Sequence, residues 1–323
     1  MNTTLRVVAL SIAVLAGSVA SPAAAQEGPL RIVLGFPAGA GLDIMTRLVA
    51  EHLRQGLGRP VIVENKTGAG GQIANDTVKA AAPDGNTLLM TPVATMAIYP
   101  HSYGDRLRYD PFKDFAPVAH MITFHSALGV GAHVPASSLA EYVALVKKDP
   151  KAGYYASAAA GSIPHFIGVL LGTTAGIPMT HVPYKGTAPG LLALAAGEIA
   201  ALISTTADIA NLEKTGKGRL LAIASTQRRP AFPNVPTFKE QGYDVDGEAW
   251  FALFAPAGTP APLIERLSKA AIAAVRDPAL RQRLEAMGFE PTGLGPAALA
   301  AIHKADYDKW GPVIRASGFK PGN

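Results

Sequence analysis

The aliphatic run Leu30–Leu34 leads directly into Phe36-Pro37-Ala38-Gly39-Ala40-Gly41-Leu42-Asp43, and a helical pattern from Ile44 to Leu57 follows at once. This order reads as strand, glycine-rich turn, helix. Glycine admits positive φ and lets a bound group come close to the backbone, so Gly39 and Gly41 are both expected in that role. The first N–H groups of a helix lack intrahelical partners and favour phosphate or carboxylate. A second turn of the same kind, Ser157-Ala158-Ala159-Ala160-Gly161-Ser162, follows the strand-like Gly153–Ala156. Two such turns far apart in sequence imply two lobes that close on one small anion.

The N-terminus reads as a targeting segment: Arg6 is its positive region, Val7–Val19 its apolar core, and Ala23-Ala24-Ala25 its small-residue cleavage site. Cleavage is expected after Ala25, with export to the periplasm. The apolar core is too short to span a bilayer. The chain has no cysteine, which excludes disulfides, thiolate zinc sites and a cysteine nucleophile. Its net charge is +5, with the Lys and Arg residues scattered, so nucleic acid is not an expected partner. A chain of 323 residues is long for one core and points to two domains.

Short β-like and longer helical runs alternate: strands at Leu30–Leu34, Val61–Glu64 and Thr87–Thr91, helices at Leu42–Leu57 and Gly71–Ala81. The alternation restarts after Ser126, with strands at Tyr154–Ala156, Thr180–Pro183, Ala200–Ser204 and Leu220–Ser225. Helices at Ser138–Lys148, His165–Ala175 and Ala188–Ala196 lie among them. Such alternation gives a parallel sheet flanked by helices. Phe115–Val130 and Asp246–Ala255 read as crossings between lobes. The tail reads as three helices, Pro262–Arg276, Pro278–Met287 and Pro296–Ser317, each opened by proline.

Enzyme signatures are missing. There is no Gly-x-Ser-x-Gly elbow, no zinc-binding histidine spacing, and Gly39-Ala40-Gly41 continues to Ile44, not to a third glycine. His120 and His125, five apart on a crossing strand, are expected on opposite faces. Several candidates keep two readings. Asp43 either caps and orders its turn or meets the ligand. Ser157 and Ser162 are hydroxyl donors or loop and cap residues, and His165 is a donor or a packed histidine. Lys185 lends positive potential or is solvated. Asn65–Gly71 lacks a Walker lysine at the required spacing and reads as a structural turn, and Trp250 is the preferred aromatic wall of the cleft.

The chain resembles the extracytoplasmic solute receptors of tripartite tricarboxylate transporters, the Bug-type receptors. The resemblance covers essentially the whole mature chain. It rests on seven motifs in order: Phe36-Pro37-Ala38-Gly39 with Asp43, Val63–Gly71, Asp84–Leu89, Tyr109-Asp110-Pro111 with Asp114-Phe115, Gly161-Ser162 with His165, His181–Gly186, and Ala255–Pro260. It implies a type II-like periplasmic binding protein of α/β class, each lobe a mostly parallel sheet flanked by helices, with a hinge of two crossing strands. Residues 26–125 plus 250–323 would form one lobe and 126–249 the other. The implied function is capture of a small carboxylate by loop amides and water, without an arginine, and delivery to integral membrane subunits. The receptor would be a monomer with no cofactor, metal or catalytic residue.

Candidate ligand-binding residues are Phe36, Gly39, Ala40, Gly41, Asp43, Ser157, Ala159, Gly161, Ser162, His165, Ser204, Thr205, Asp208 and Trp250. The sequence departs from the family pattern at Gly39-Ala40, at Ala159-Ala160, and at Ser204-Thr205, where many relatives carry Asp-Asn. Two hydroxyls there remove a partner for a ligand ammonium. A hydroxy-, keto-, di- or tricarboxylate, or an aromatic carboxylate, is therefore expected over an amino acid, unless Asp208 turns inward. A sensory receptor and a secreted hydrolase are the alternatives.

Overall fold

The computed structural model describes residues 28–184 and 186–321. The expected targeting segment and Lys185 lie outside the described residues. The chain opens with β1 (Leu30–Leu34), α1 (Gly41–Leu57), β2 (Val61–Asn65), α2 (Gln72–Lys79) and β3 (Thr87–Pro92). A π-helical turn at Ala94–Ile98 leads to α3 (Tyr99–Tyr103) and the 17-residue β4 (Phe115–Gly131). Next come α4 (Leu139–Lys148), β5 (Tyr154–Ser157), α5 (Ile163–Ala175), β6 (Thr180–Pro183), α6 (Thr187–Ala196), β7 (Ala201–Thr205), α7 (Thr206–Lys214) and β8 (Gly218–Ile223). The chain closes with β9 (Glu248–Pro256), α8 (Ala261–Arg276), α9 (Pro278–Ala286), β10 (Glu290–Leu294) and α10 (Pro296–Ser317).

β1 lies between β2 and β3, all parallel. Its alternate side chains serve both faces: Leu30, Ile32 and Leu34 join one apolar cluster with α1 and α8, and Val33 joins another. Helix α1 buries Leu42, Met45, Val49 and Leu53, three or four residues apart, and stops at Gly58, whose φ of 65° suits only a glycine end. A parallel sheet with both faces covered follows from these patterns.

β4 joins everything. Through His125 it pairs with β9, and β10 adds to its other edge; from Ser126 it pairs with β7 and β8. Beyond it β7, β5 and β6 run parallel to one another. The partner change falls between His125 and Ser126, and the second crossing, β9, begins level with it at Glu248. Pro117 donates no N–H, and the β4–β9 register shifts just after it, a place where a strand tolerates proline. A second shift lies between His120 and Ile122. Helix α10 packs against β4, β9 and α5; Trp310 meets Phe166 of α5 with ring centroids 6.2 Å apart, inside a core that also holds Val33, Leu89 and Tyr155.

The end of β1 touches the turn before α2. A Cβ on Gly35 would lie 2.3 Å from the Cα of Gly71, so two backbones occupy the space of a side chain. Gly35→Ala should therefore push the two turns apart and cost about 1–3 kcal/mol, the range for overpacking. Urea unfolding of this variant against the parent chain measures it, and equal midpoints would show that the contact yields freely.

Candidate ligand-binding site

Three helix starts carry the candidate residues, and they are built differently. α1 starts after Ala40 with no side-chain cap. α5 is capped by Ser162, whose Oγ accepts from His165 N, and α7 by Thr205, whose Oγ1 accepts from Asp208 N. Only the first of the three keeps its leading amides clear of a capping side chain, which leaves room there for an external anion.

In the first turn Gly39 has φ 83°, while Gly41 is already helical and does not use the positive region, contrary to the expectation for it. Gly39 and Gly41 are exposed, and Ala40 and Phe36 half-buried. Asp43 is 2% exposed and turns inward. Its Oδ2 accepts from Gly39 N at 2.9 Å, its Oδ1 from Asn65 Nδ2 at 2.9 Å, and Arg47 donates to both oxygens. Asn65 Nδ2 also reaches Phe36 O at 2.9 Å. Burial alone would raise the Asp43 pKa, but the Arg47, Gly39 and Asn65 donors outweigh it and hold the carboxyl below its ordinary range. Asp43 takes the ordering role of its two readings, and its charge is spent on Arg47 and the turn.

The second turn is tied just as closely. Ser157 Oγ donates to Ala159 O at 3.0 Å, and Ser162 Oγ donates to the same carbonyl at 2.7 Å. Gly161 has φ 75°, and its N–H donates to His165 Nδ1 at 3.1 Å, so that amide is occupied within the turn. His165 stacks on His181 with ring centroids 4.0 Å apart, and Phe319 lies against its edge. A cleft of about 140 Å³ has Tyr99, Ser102 and Tyr103 on one side and Ala160 and Gly161 on the other.

In the third cluster Ser204 and Thr205 both donate to Asp208 Oδ2, at 2.8 and 2.6 Å. The carboxylate considered as a partner for a ligand ammonium therefore accepts from two hydroxyls of its own chain. Among the described residues no hydrogen bond joins one cluster to another. Contacts do bring the first and third near: a Cβ on Gly41 would lie 3.4 Å from Phe289 Cζ, and one on Gly288 3.0 Å from Ala207 Cβ.

Trp250 is elsewhere. It is 1% exposed, its indole N–H donates to Asp306 Oδ2 at 2.6 Å, and it lines a cavity of about 390 Å³ beside the crossing strands. Burial, reinforced by Glu248, pushes the Asp306 carboxyl up to about 6 although Trp250 opposes the shift. His120 and His125 line this same cavity, not opposite faces as strict alternation requires. The bulge between His120 and Ile122 resets the alternation and accounts for the difference. Arg229 donates through Nε to Glu290 Oε1 at 2.8 Å across the same cavity.

Sequence reasoning missed Arg47 and Asn65, which hold Asp43, and His181, which holds Ser157 at 2.7 Å. A signal existed for Arg47, four residues after Asp43 on one helix face. Asn65 sits on β2 beside β1, and His181 on β6 beside β5, so each reaches its turn only once the sheet forms.

Over residues 45–319 the sequence matches the TctC family, described as the tripartite tricarboxylate transporter family receptor. The chain belongs to this receptor family. It is 30% identical over 324 residues to protein BugT of Bordetella pertussis, covering 99% of each. The solved structure of Rpa4515 of R. palustris with adipate has a TM-score of 0.79 at 29% identity, covering 91% of this chain and 98% of its own. MatC of Rhodopseudomonas palustris with bound malate has a TM-score of 0.75 at 31% identity, covering 88% of this chain and 98% of its own. The Bug-type resemblance and the two-lobed α/β class thus hold. Family and fold are those of periplasmic solute-binding receptors, not of enzymes. No helix among the described residues is long and apolar enough to cross a membrane.

The imidazoles give the receptor an acid sensitivity. Burial holds His165 down at about 4 and His181, with His165 beside it, down at about 3; burial lowers His101, His120 and His303 in the same direction. An unfolded histidine takes its proton near 6.5, so these groups contribute stability above about pH 6.5 that is lost progressively as pH falls toward 4. Melting temperatures measured from pH 7.5 down to 4 should decline through that window. A flat profile would show that the rings are solvated and titrate normally.

Proposed function

We propose that this receptor captures a small carboxylate between its lobes in the periplasm and hands it to the integral membrane subunits of a tripartite transporter. The observation that carries this reading is the uncapped N-terminus of α1 behind Gly39, next to a turn already held rigid by Asp43. Amides fixed in advance cost little to order on binding, and the helix dipole favours negative charge. The adipate and malate complexes of related receptors support a carboxylate class for this chain as well.

The second turn would close on the ligand from residues 126–249, with residues 26–125 plus 250–323 as the first lobe. The change of β4 partners at His125 and Ser126 supports a hinge there. Ser204 and Thr205 would face the far end of the ligand, and with Asp208 satisfied by them a hydroxy-, keto-, di-, tri- or aromatic carboxylate suits the site better than an amino acid. The receptor would act as a monomer, exported with cleavage after Ala25. Closing uses contacts from both lobes, so the ligand shifts an open–closed equilibrium.

A thermal-shift screen of residues 26–323 against adipate, malate, citrate, aromatic carboxylates and amino acids tests this. A ligand at about a hundred times its Kd stabilises by roughly 2.7 kcal/mol. The expected shift is several degrees with one carboxylate class, and no shift with any of them would contradict the reading. Gly39→Val provides the matching loss. No atom lies within 4 Å of a Cβ there, so the strain is that of φ 83° alone, about 1–2 kcal/mol. The fold should survive and carboxylate affinity fall sharply; unchanged affinity would remove the first turn from the site.

A further inference from the structure

The stretch from His181 to Gly186 carries part of the family resemblance, yet the ligand reading leaves His181 without a task. His181 sits on β6 opposite Tyr155 of β5, and the two rings lie 5.3 Å apart. Past the strands, Tyr184 N donates to Ser157 O at 3.0 Å and Gly186 N to Ala158 O at 2.9 Å. The second turn is thus fastened along the exit of β6.

Ser157 Oγ lies 3.0 Å from Ala159 O and 2.7 Å from His181 Nε2. With the Ser157 hydroxyl donating to Ala159 O, His181 supplies the proton between itself and Ser157 from Nε2. His165 is fixed likewise: its Nδ1 accepts from Gly161 N, so its ring proton is on Nε2. The His165 ring is therefore neutral, and burial holds both stacked rings below the ordinary imidazole range. The Ala159 carbonyl receives two hydroxyl protons, from Ser157 and Ser162, and is pinned toward them. In a planar trans peptide the following N–H points the opposite way. That N–H belongs to Ala160, an exposed residue lining the 140 Å³ cleft.

We propose that the Ala160 amide is the donor the second turn offers to a ligand carboxylate, and that His181 is the positioning residue that aims it, acting through Ser157 and the Ala159 carbonyl. This rests on the carboxylate-receptor reading above. It takes the role away from Gly161, whose amide His165 already holds, and gives His181 a function although it touches no ligand.

Amide NMR of the ¹⁵N-labelled chain, residues 26–323, titrated with adipate and with malate at pH 7.5 tests it, alongside affinities of three variants. The Ala160 amide should move saturably with a binding probe while Gly161 stays nearly still. His181→Gln retains an N–H near Nε2 and should bind within about twofold of the parent, whereas His181→Phe and Ser157→Ala should lose about tenfold or more, the scale of one buried hydrogen bond. Should His181→Phe fail to fold, the contrast of Ser157→Ala with His181→Gln decides alone. Parent-like affinity in Ser157→Ala or His181→Phe, or movement of Gly161 in place of Ala160, overturns the assignment while leaving carboxylate capture intact. If neither probe moves any amide of the parent chain, the carboxylate reading itself fails with these probes and the assignment falls with it.

Discussion

The structure depends on one strand that belongs to two sheets. β4 is 17 residues long, on the order of 55 Å when extended, and its hydrogen bonds serve β9 and β10 up to His125 and β7 and β8 from Ser126. Backbone pairing on both sides of that point holds each half of the strand to its own sheet. Bending there disturbs few ladder bonds, whereas bending elsewhere on β4 would break a register. Helix α10 adds a second tie, because Trp310 shares a core with Phe166. The two halves are joined by backbone at two crossings lying side by side, β4 and β9, and by apolar packing at α10.

The proposed recognition of an anion without an arginine rests on how the turns are spent. Arg47, the cation beside the first turn, is paired with Asp43, so the local charge is balanced before a ligand arrives. What remains is directional: amides at an uncapped helix start and at a pinned peptide, each held by side chains behind it. Fixed donors lose little freedom on binding, so in the proposed site a modest number of neutral hydrogen bonds would suffice. The same economy explains the buried histidines. A protonated His165 could not accept from Gly161, and burial keeps that ring neutral at ordinary pH.

Much of this fold is legible in the residues themselves. Leu30–Leu34, Thr180–Pro183 and Pro296–Ser317 carry apolar runs or proline starts that set their limits, and the structure places elements at those bounds. α7 was not legible because Thr206 follows β7 with no glycine or proline between them. β10 contains Pro291 and Gly293, both poor strand formers, and exists because β4 offers it an edge. Local chemistry marked the turns, since glycine and serine announce them. It could not show how the side chains that take those amides are held, because the groups behind them arrive from other strands: Asn65 of β2 donates to Asp43, and His181 of β6 meets Ser157. The shared cavity of His120 and His125 was hidden for a similar reason, as a bulge depends on pairing with β9 and leaves no mark in spacing.

The central claim is that backbone amides of two preformed turns hold a carboxylate, and a crystal structure of residues 26–323 with the best-binding carboxylate tests it most directly. The account predicts ligand oxygens about 2.7–3.2 Å from N–H groups at the start of α1, with Asp43 still bound to Gly39. A carboxylate paired instead with an arginine or lysine side chain, or seated in the cavity beside Trp250 with the start of α1 empty, would contradict it.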